Sequence, residues 1–219
     1  TSSRGGQVDV ALPNVNAGGS MISRTVEGAR RFWDWFRDSA TVDEGGRPIR
    51  FFHGTGADVS RFQVMRDAVN TGLMGFTYPA RRAGIFFTKD PDEAGYYAGD
   101  AGAVMPVYLR MERPADFTSG ISEELERDLE SAGYNVRLLY SASVQHTWEL
   151  FDEEFAGVEL VAALKKAGYD GAIIRDHCFT QENGVGISYI AFDSEQIKSA
   201  IGNRGSFATV NPDICLRVG

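Results

Sequence analysis

The chain is poor in the residues that build metal sites and disulfide frameworks. It has two cysteines, Cys178 and Cys215, and three histidines, His53, His146 and His177. Their spacing fits no zinc signature, so no metal is expected. A free or buried thiol is expected rather than a disulfide. Long apolar runs are missing too. None approaches the roughly 18 residues of a membrane-spanning helix, so no membrane partner is expected. No block of basic, then apolar, then small residues reads as a secretory leader. Basic residues are in deficit, 22 Lys and Arg against 30 Asp and Glu, for a net charge of -8. That balance argues against broad capture of nucleic acid phosphates, although it leaves room for a local basic patch.

What remains is an ordinary globular composition, enough for one large domain behind a short extension. Residues 1–20 are rich in Gly, Ser and Asn and read as a flexible or surface-draped lead. A single domain is expected over 21–219, with a helix at 21–38 and a catalytic core at about 47–214. Ile22, Val26, Ala29, Trp33 and Phe36 recur at steps of four and three, one face of an amphipathic helix. Ile49 to Phe52 is a short apolar strand ending at His53. Residues 56–83 have no clean period and contain Gly72, Gly75 and Pro79, so an irregular loop is expected there. Ile85 to Thr88 reads as a strand. Asp90 can cap the next helix and Pro91 suits its first turn. Val104 to Met111 is a further strand, and Ser122 caps a helix running to Gly133. A helix near Val158 to Ala167 carries Lys165 and Lys166 in its last turn. Ala172 to Ile174 and Tyr189 to Phe192 are strands, and a turn-rich tail begins at Gln196. Strands and helices mix without βαβ regularity, so the class is α+β.

Two motifs stand out. Phe51-Phe52-His53-Gly54-Thr55 is followed some thirty residues later by Gly84-Ile85-Phe86-Phe87-Thr88-Lys89-Asp90-Pro91-Asp92-Glu93-Ala94-Gly95-Tyr96-Tyr97-Ala98. A lone His-Gly pair, or an aromatic on a strand, is usually a packing feature. It is the order and spacing of the two motifs that carry meaning. Together they resemble the NAD-binding half of the ADP-ribosyltransferases, in the diphtheria-toxin-like and poly(ADP-ribose) polymerase-like branch. Trp35-Phe36-Arg37-Asp38-Ser39, Val42-Asp43-Glu44, Pro48, Gly168-Tyr169-Asp170-Gly171, Tyr189-Ile190-Ala191-Phe192, Gln196-Ile197-Lys198-Ser199 and Asn211-Pro212-Asp213-Ile214 narrow it further. That run of blocks resembles the transferase domains embedded in phage and mobile-element polyvalent proteins. The start at Thr1, not a methionine, is compatible with a segment of a longer protein.

The resemblance implies split mixed and antiparallel sheets flanked by helices around an NAD cleft. It implies NAD as co-substrate, bound by His53, Gly54, Thr55, Gly84, Phe86, Phe87, Thr88, Ala94 and Tyr97. His53 would meet a ribose, Gly54 the carboxamide, and Phe86 and Tyr97 the nicotinamide ring. Residues 60–83 would lie over the donor. Cleavage of the nicotinamide–ribose bond passes through an oxocarbenium-like state, so a carboxylate near the ribose is needed. The family glutamate falls at Ser188, which carries no charge. Glu182, Asp193 and Glu195 are the nearby acids that would replace it. The implied activity is mono-ADP-ribosylation of a macromolecular acceptor, a host protein in the bacterial cytoplasm after delivery from a virion or mobile element. NAD hydrolysis, or a degenerate fold that only binds NAD or a peptide, are the alternatives.

Overall fold

The fold is built around an aromatic-rich first helix and one wide sheet. In a computed structural model the described residues are 12–56, 62, 65–71, 77–141, 147–152, 157–202 and 207, without side chains for 65–71, 77–81 and 141. His146, Cys215 and the Asn211-Pro212-Asp213-Ile214 block lie outside them. So do residues 1–11 of the lead and 57–61, 63–64 and 72–76 of the expected loop.

Helix α1 spans Val26–Phe36 and starts where the Thr25 side chain accepts from the Gly28 amide. It is shorter than the 21–38 expected, and its buried stripe is turned from the one the pattern indicated. Phe32, Trp35 and Phe36 are fully buried, while Val26 is 88% exposed. The three rings remove far more apolar surface from water than Val26 and Ala29 would, at about 1.5–3 kcal/mol for each buried large side chain, so they set the rotation. Phe32 packs edge-on to Tyr108 at 5.0 Å between centroids. The described part of the lead drapes over this cluster. The Asn16 amide donates to the Tyr108 hydroxyl at 3.0 Å, and Trp33 Nε1 donates to the Pro13 carbonyl at 2.8 Å.

The chain then makes β1 (Phe51–Thr55), β2 (Met65–Thr71), β3 (Thr77–Ala83), β4 (Ile85–Thr88), α2 (Pro91–Ala98), β5 (Ala103–Leu109) and β6 (Pro114–Asp116). It continues through α3 (Glu123–Ser131), 3₁₀ turns at Val136–Ser141 and Thr147–Phe151, α4 (Gly157–Lys166), β7 (Gly171–His177), β8 (Val185–Ala191) and β9 (Ile197–Ser199). Seven strands form one sheet in the order β6-β7-β8-β4-β1-β5-β9. Only β6 and β7 pair in parallel; the other neighbours are antiparallel. This is the expected α+β class with a mixed sheet. The caps foreseen for two helices hold. Asp90 accepts from the Asp92 amide with Pro91 opening α2, and Ser122 accepts from the Leu125 amide to start α3. The last turn of α4 carries Lys165 and Lys166.

Two elements depart from the sequence reading. The stretch 56–83 contains a two-stranded ribbon, β2 on β3, in register from Met65↔Ala83 to Thr71↔Thr77. Pro79 is tolerated there because a two-stranded ribbon is all edge. The turn-rich tail contains β9, paired to the end of β5.

The sheet is nearly divided between β4 and β1, which share one registered pair, Phe52↔Thr88. One layer of core packs α3, α4 and the 3₁₀ turns on Ala172, Ile174, Ile190 and Phe192. A second lies on the other face around Phe51, Phe87, Val107 and Tyr189. Helix α2 seats itself against β1 through Gly54. A Cβ there would lie 1.8 Å from the Ala94 carbonyl oxygen and 2.8 Å from the Ala98 nitrogen. The missing side chain thus admits a helix backbone. Gly54→Ala should therefore push α2 off the sheet and cost roughly 1–3 kcal/mol or more. Urea unfolding checks this; a midpoint equal to wild type would show that α2 yields freely.

Candidate functional site

The half-open surface at the sheet division follows from strand alternation. Ile174, Ser188, Thr88 and Phe52 are successive cross-strand partners and so share one face. Phe86 and Ile190 belong to it as well, one pair further along. Along β4 burial alternates: Ile85 and Phe87 are buried, whereas Phe86 and Thr88 are half-buried. Ser188 is half-buried too. At β4 this face is therefore partly open.

His53 sits at the dividing edge. It is half-buried, shares a face with Phe51 and packs on Phe62 and Phe87, with ring centroids 4.9 and 5.4 Å away. Its Nδ1 is 2.8 Å from the Phe86 carbonyl oxygen. A carbonyl only accepts, so Nδ1 carries the hydrogen and the ring's tautomer is fixed. The contact reaches from β1 to β4 just past their one registered pair.

On the open face lies a carboxylate that the sequence reading did not single out. Asp176, near the end of β7, is 8% exposed. Its Oδ2 accepts from Ser188 Oγ at 2.7 Å, and its Oδ1 accepts from the His177 amide at 2.8 Å. Burial pushes its pKa above the usual carboxylate range, and Glu93 adds to this; Ser188, Arg82 and the His177 amide oppose it. Tyr97 faces the same group. Its hydroxyl is raised well above the ordinary tyrosine range, first by burial and then by Asp176 and Glu93. The residue as a whole is nevertheless 45% exposed.

A second buried carboxylate serves the loop after β7. Glu93, on α2, is 4% exposed. Its Oε2 accepts from the Phe179 amide at 2.9 Å, the Thr180 amide at 3.1 Å and Cys178 Sγ at 3.2 Å. Thr180 Oγ1 also donates to Asp90 Oδ2 at 2.7 Å. The anchored loop sets Phe179 flat against Tyr96, 3.8 Å between centroids, and flat against His177 at 4.4 Å.

The family model for the ADP-ribosyltransferase of polyvalent proteins matches residues 43–207, well over half of the chain. The chain belongs to that family. One solved structure, titled "Crystal structure of an anti-CRISPR protein", is similar at 15% identity and a TM-score of 0.38. It covers 68% of this chain and 90% of its own. No curated protein matches significantly. The family assignment gives the transferase activity in general terms and NAD as its co-substrate.

Within this transferase domain Thr88 and Ser188 are cross-strand partners, Ser188 donates to Asp176, and Tyr97 faces Asp176, while His53 sits at the edge of the other face. Phe86 lies on the open side under the Arg82 guanidinium, 5.4 Å from its ring centre. Among the described residues the rings beside Tyr97 are Tyr96 and Phe179, not Phe86. Gly84 serves the backbone: its φ is +96° and a Cβ would fall 2.3 Å from Ile190 Cγ2. Thr55, Phe87 and Ala94 are buried. Ser188 lies in mid-strand, paired with Thr88 and Ile174, and does not simply begin β8. Glu182 is exposed in the turn before β8. Asp193 and Glu195 lie beyond its other end, where Asp193 pairs with Lys165 at 2.8 Å. None of the three is recorded against Ser188, whose bonded acid is Asp176. Among the described residues no group of acids, histidines and cysteines could hold a metal, and no helix is long and apolar enough to cross a membrane.

Glu93→Ala should strip the Phe179 and Thr180 amides of their acceptor, costing on the order of 1–3 kcal/mol for a buried donor. Hydrogen exchange at those two amides should quicken and the thermal midpoint should fall. Unchanged exchange there would show that the loop does not hang on Glu93.

Proposed function

We propose that this domain breaks NAD at the nicotinamide–ribose bond and passes ADP-ribose to a macromolecular acceptor, a protein of a bacterial host met in its cytoplasm. The observation that carries the reading is the half-open face beside α2. It combines a partly exposed Tyr97, the hydroxyls of Thr88 and Ser188, and a buried carboxylate, in a chain whose family uses NAD.

Each part has a job suited to that chemistry. Nicotinamide is a planar cation in NAD and favours an aromatic edge or face. Tyr97 offers the ring, and Phe86 lies on the open face under Arg82. His53, its tautomer fixed by the Phe86 carbonyl, is the partner for a ribose hydroxyl. The net negative charge of the chain favours a cationic transition state over an anionic one. Acceptor choice lies with surfaces around the cleft rather than in these residues.

Labelled NAD added to a bacterial lysate, followed by mass spectrometry, tests the transfer. Labelled protein is the expected product. Nicotinamide release with free ADP-ribose alone would make the domain a hydrolase. Within the same reading, His53→Ala should weaken NAD binding by about 1–2 kcal/mol through the lost hydrogen bond. Calorimetry on a folded variant measures this, and an unchanged affinity would remove His53 from the pocket.

A further inference from the structure

Resting on the reading of the domain as an NAD-cleaving transferase, we infer that Asp176 is the carboxylate that stabilises the ribosyl cation, and that Ser188 is the residue that positions it. The strand position that holds a glutamate in the resembled branch is Ser188 here. The negative charge missing from β8 is supplied one strand over, from β7. Ser188 and Ile174 are direct partners, so Asp176 sits two residues along on the same face.

Both oxygens of Asp176 are fixed. Oδ2 is held by Ser188 Oγ at 2.7 Å and Oδ1 by the His177 amide at 2.8 Å. A preorganised, poorly solvated carboxylate acts on developing positive charge without reorganising at the moment of reaction. Tyr97, on α2, is close enough to feel its charge. The other buried acid, Glu93, already binds three donors through Oε2 to hold the loop after β7. Glu182, Asp193 and Glu195 are exposed and lie past one end of β8 or the other.

The step balances as follows. The bond between the anomeric carbon and the nicotinamide nitrogen breaks, and its electron pair leaves on nicotinamide, which departs neutral. The cation left on the anomeric carbon and ring oxygen faces Asp176. The acceptor's nucleophile, or water, bonds to that carbon, and its proton passes to Asp176 and on to solvent.

Asp176 is faced by Arg82 from β3, Glu93 and Tyr97 from α2, the His177 amide on β7 and Ser188 from β8. Ser188 favours its ionised form, so removing that hydroxyl raises its pKa. The acid limb of the rate profile then moves to higher pH.

The experiment is single-turnover nicotinamide release from NAD across pH, with NAD affinity by calorimetry, for the whole chain and for D176N, S188A, E93Q, E182Q, D193N and E195Q. D176N should slow release by about 10²–10³-fold while NAD affinity stays within about threefold. S188A should slow it less and shift the acid limb upward, a change that a merely structural residue would not produce. D176N that releases nicotinamide at the wild-type rate overturns the inference alone. So does an S188A limb that stays in place, which decides the matter even if D176N fails to fold. Loss confined to E93Q, or to one of the three exposed acids, also overturns it. A wild-type chain that does not cleave NAD overturns both this inference and the functional reading beneath it.

Discussion

The contact between His53 and the Phe86 carbonyl is the one on which the site depends. β1 and β4 are neighbours in the sheet, yet their ladder amounts to one registered pair. Beyond it the strands part, and an imidazole reaches across at 2.8 Å. A buried carbonyl without a partner is costly, so the ring satisfies a group that the parting strands leave behind. The same parting opens the face that bears Phe86, Thr88 and Ser188. The histidine is therefore part of the scaffold as well as a candidate for binding.

Two buried carboxylates divide the work beside α2. Glu93 receives two backbone amides and a thiol on Oε2, while its Oε1 is buried without a hydrogen-bond partner. Asp176 receives one hydroxyl and one amide and has the more equivocal surroundings. Burial and Glu93 disfavour its charge; Arg82 favours it. Arg82 is itself engaged, by Asp152 at 3.1 Å and by the faces of Phe86 and Trp148. A carboxylate poised between these influences responds strongly to a new cation nearby, because little else is competing to neutralise it.

Much of the scaffold was legible in the sequence, and for physical reasons. Asp90-Pro91 and Ser122 announce helix starts because orphan amides there need side-chain oxygens. Ile85 to Thr88 reads as a strand, and the histidine and glycine of β1 mark the edge where the sheet divides. The β2–β3 ribbon was hidden because Gly72, Gly75 and Pro79 suppress any period, and pairing is a non-local property that composition does not reveal. The rotation of α1 was misread because the pattern weighed Val26 equally with Phe32. Asp176 escaped notice because acids were sought close to Ser188 along the chain. A signal did exist. Ala172, Ile174 and Asp176 occupy one side of their strand, and an acid on the inward, otherwise apolar side of a strand seldom lacks a purpose.

The hydrogen bonds from the loop after β7 to Glu93 and Asp90 have a mechanical meaning. Four of them tie residues 178–180 to the first turn of α2. Tyr97 rides on that helix, and Asp176 lies two residues before Cys178. Ring and carboxylate are consequently bolted to the same small chassis. A thermal excursion that lifts the helix carries the loop with it, so the spacing between the two groups is conserved while the cleft as a whole breathes.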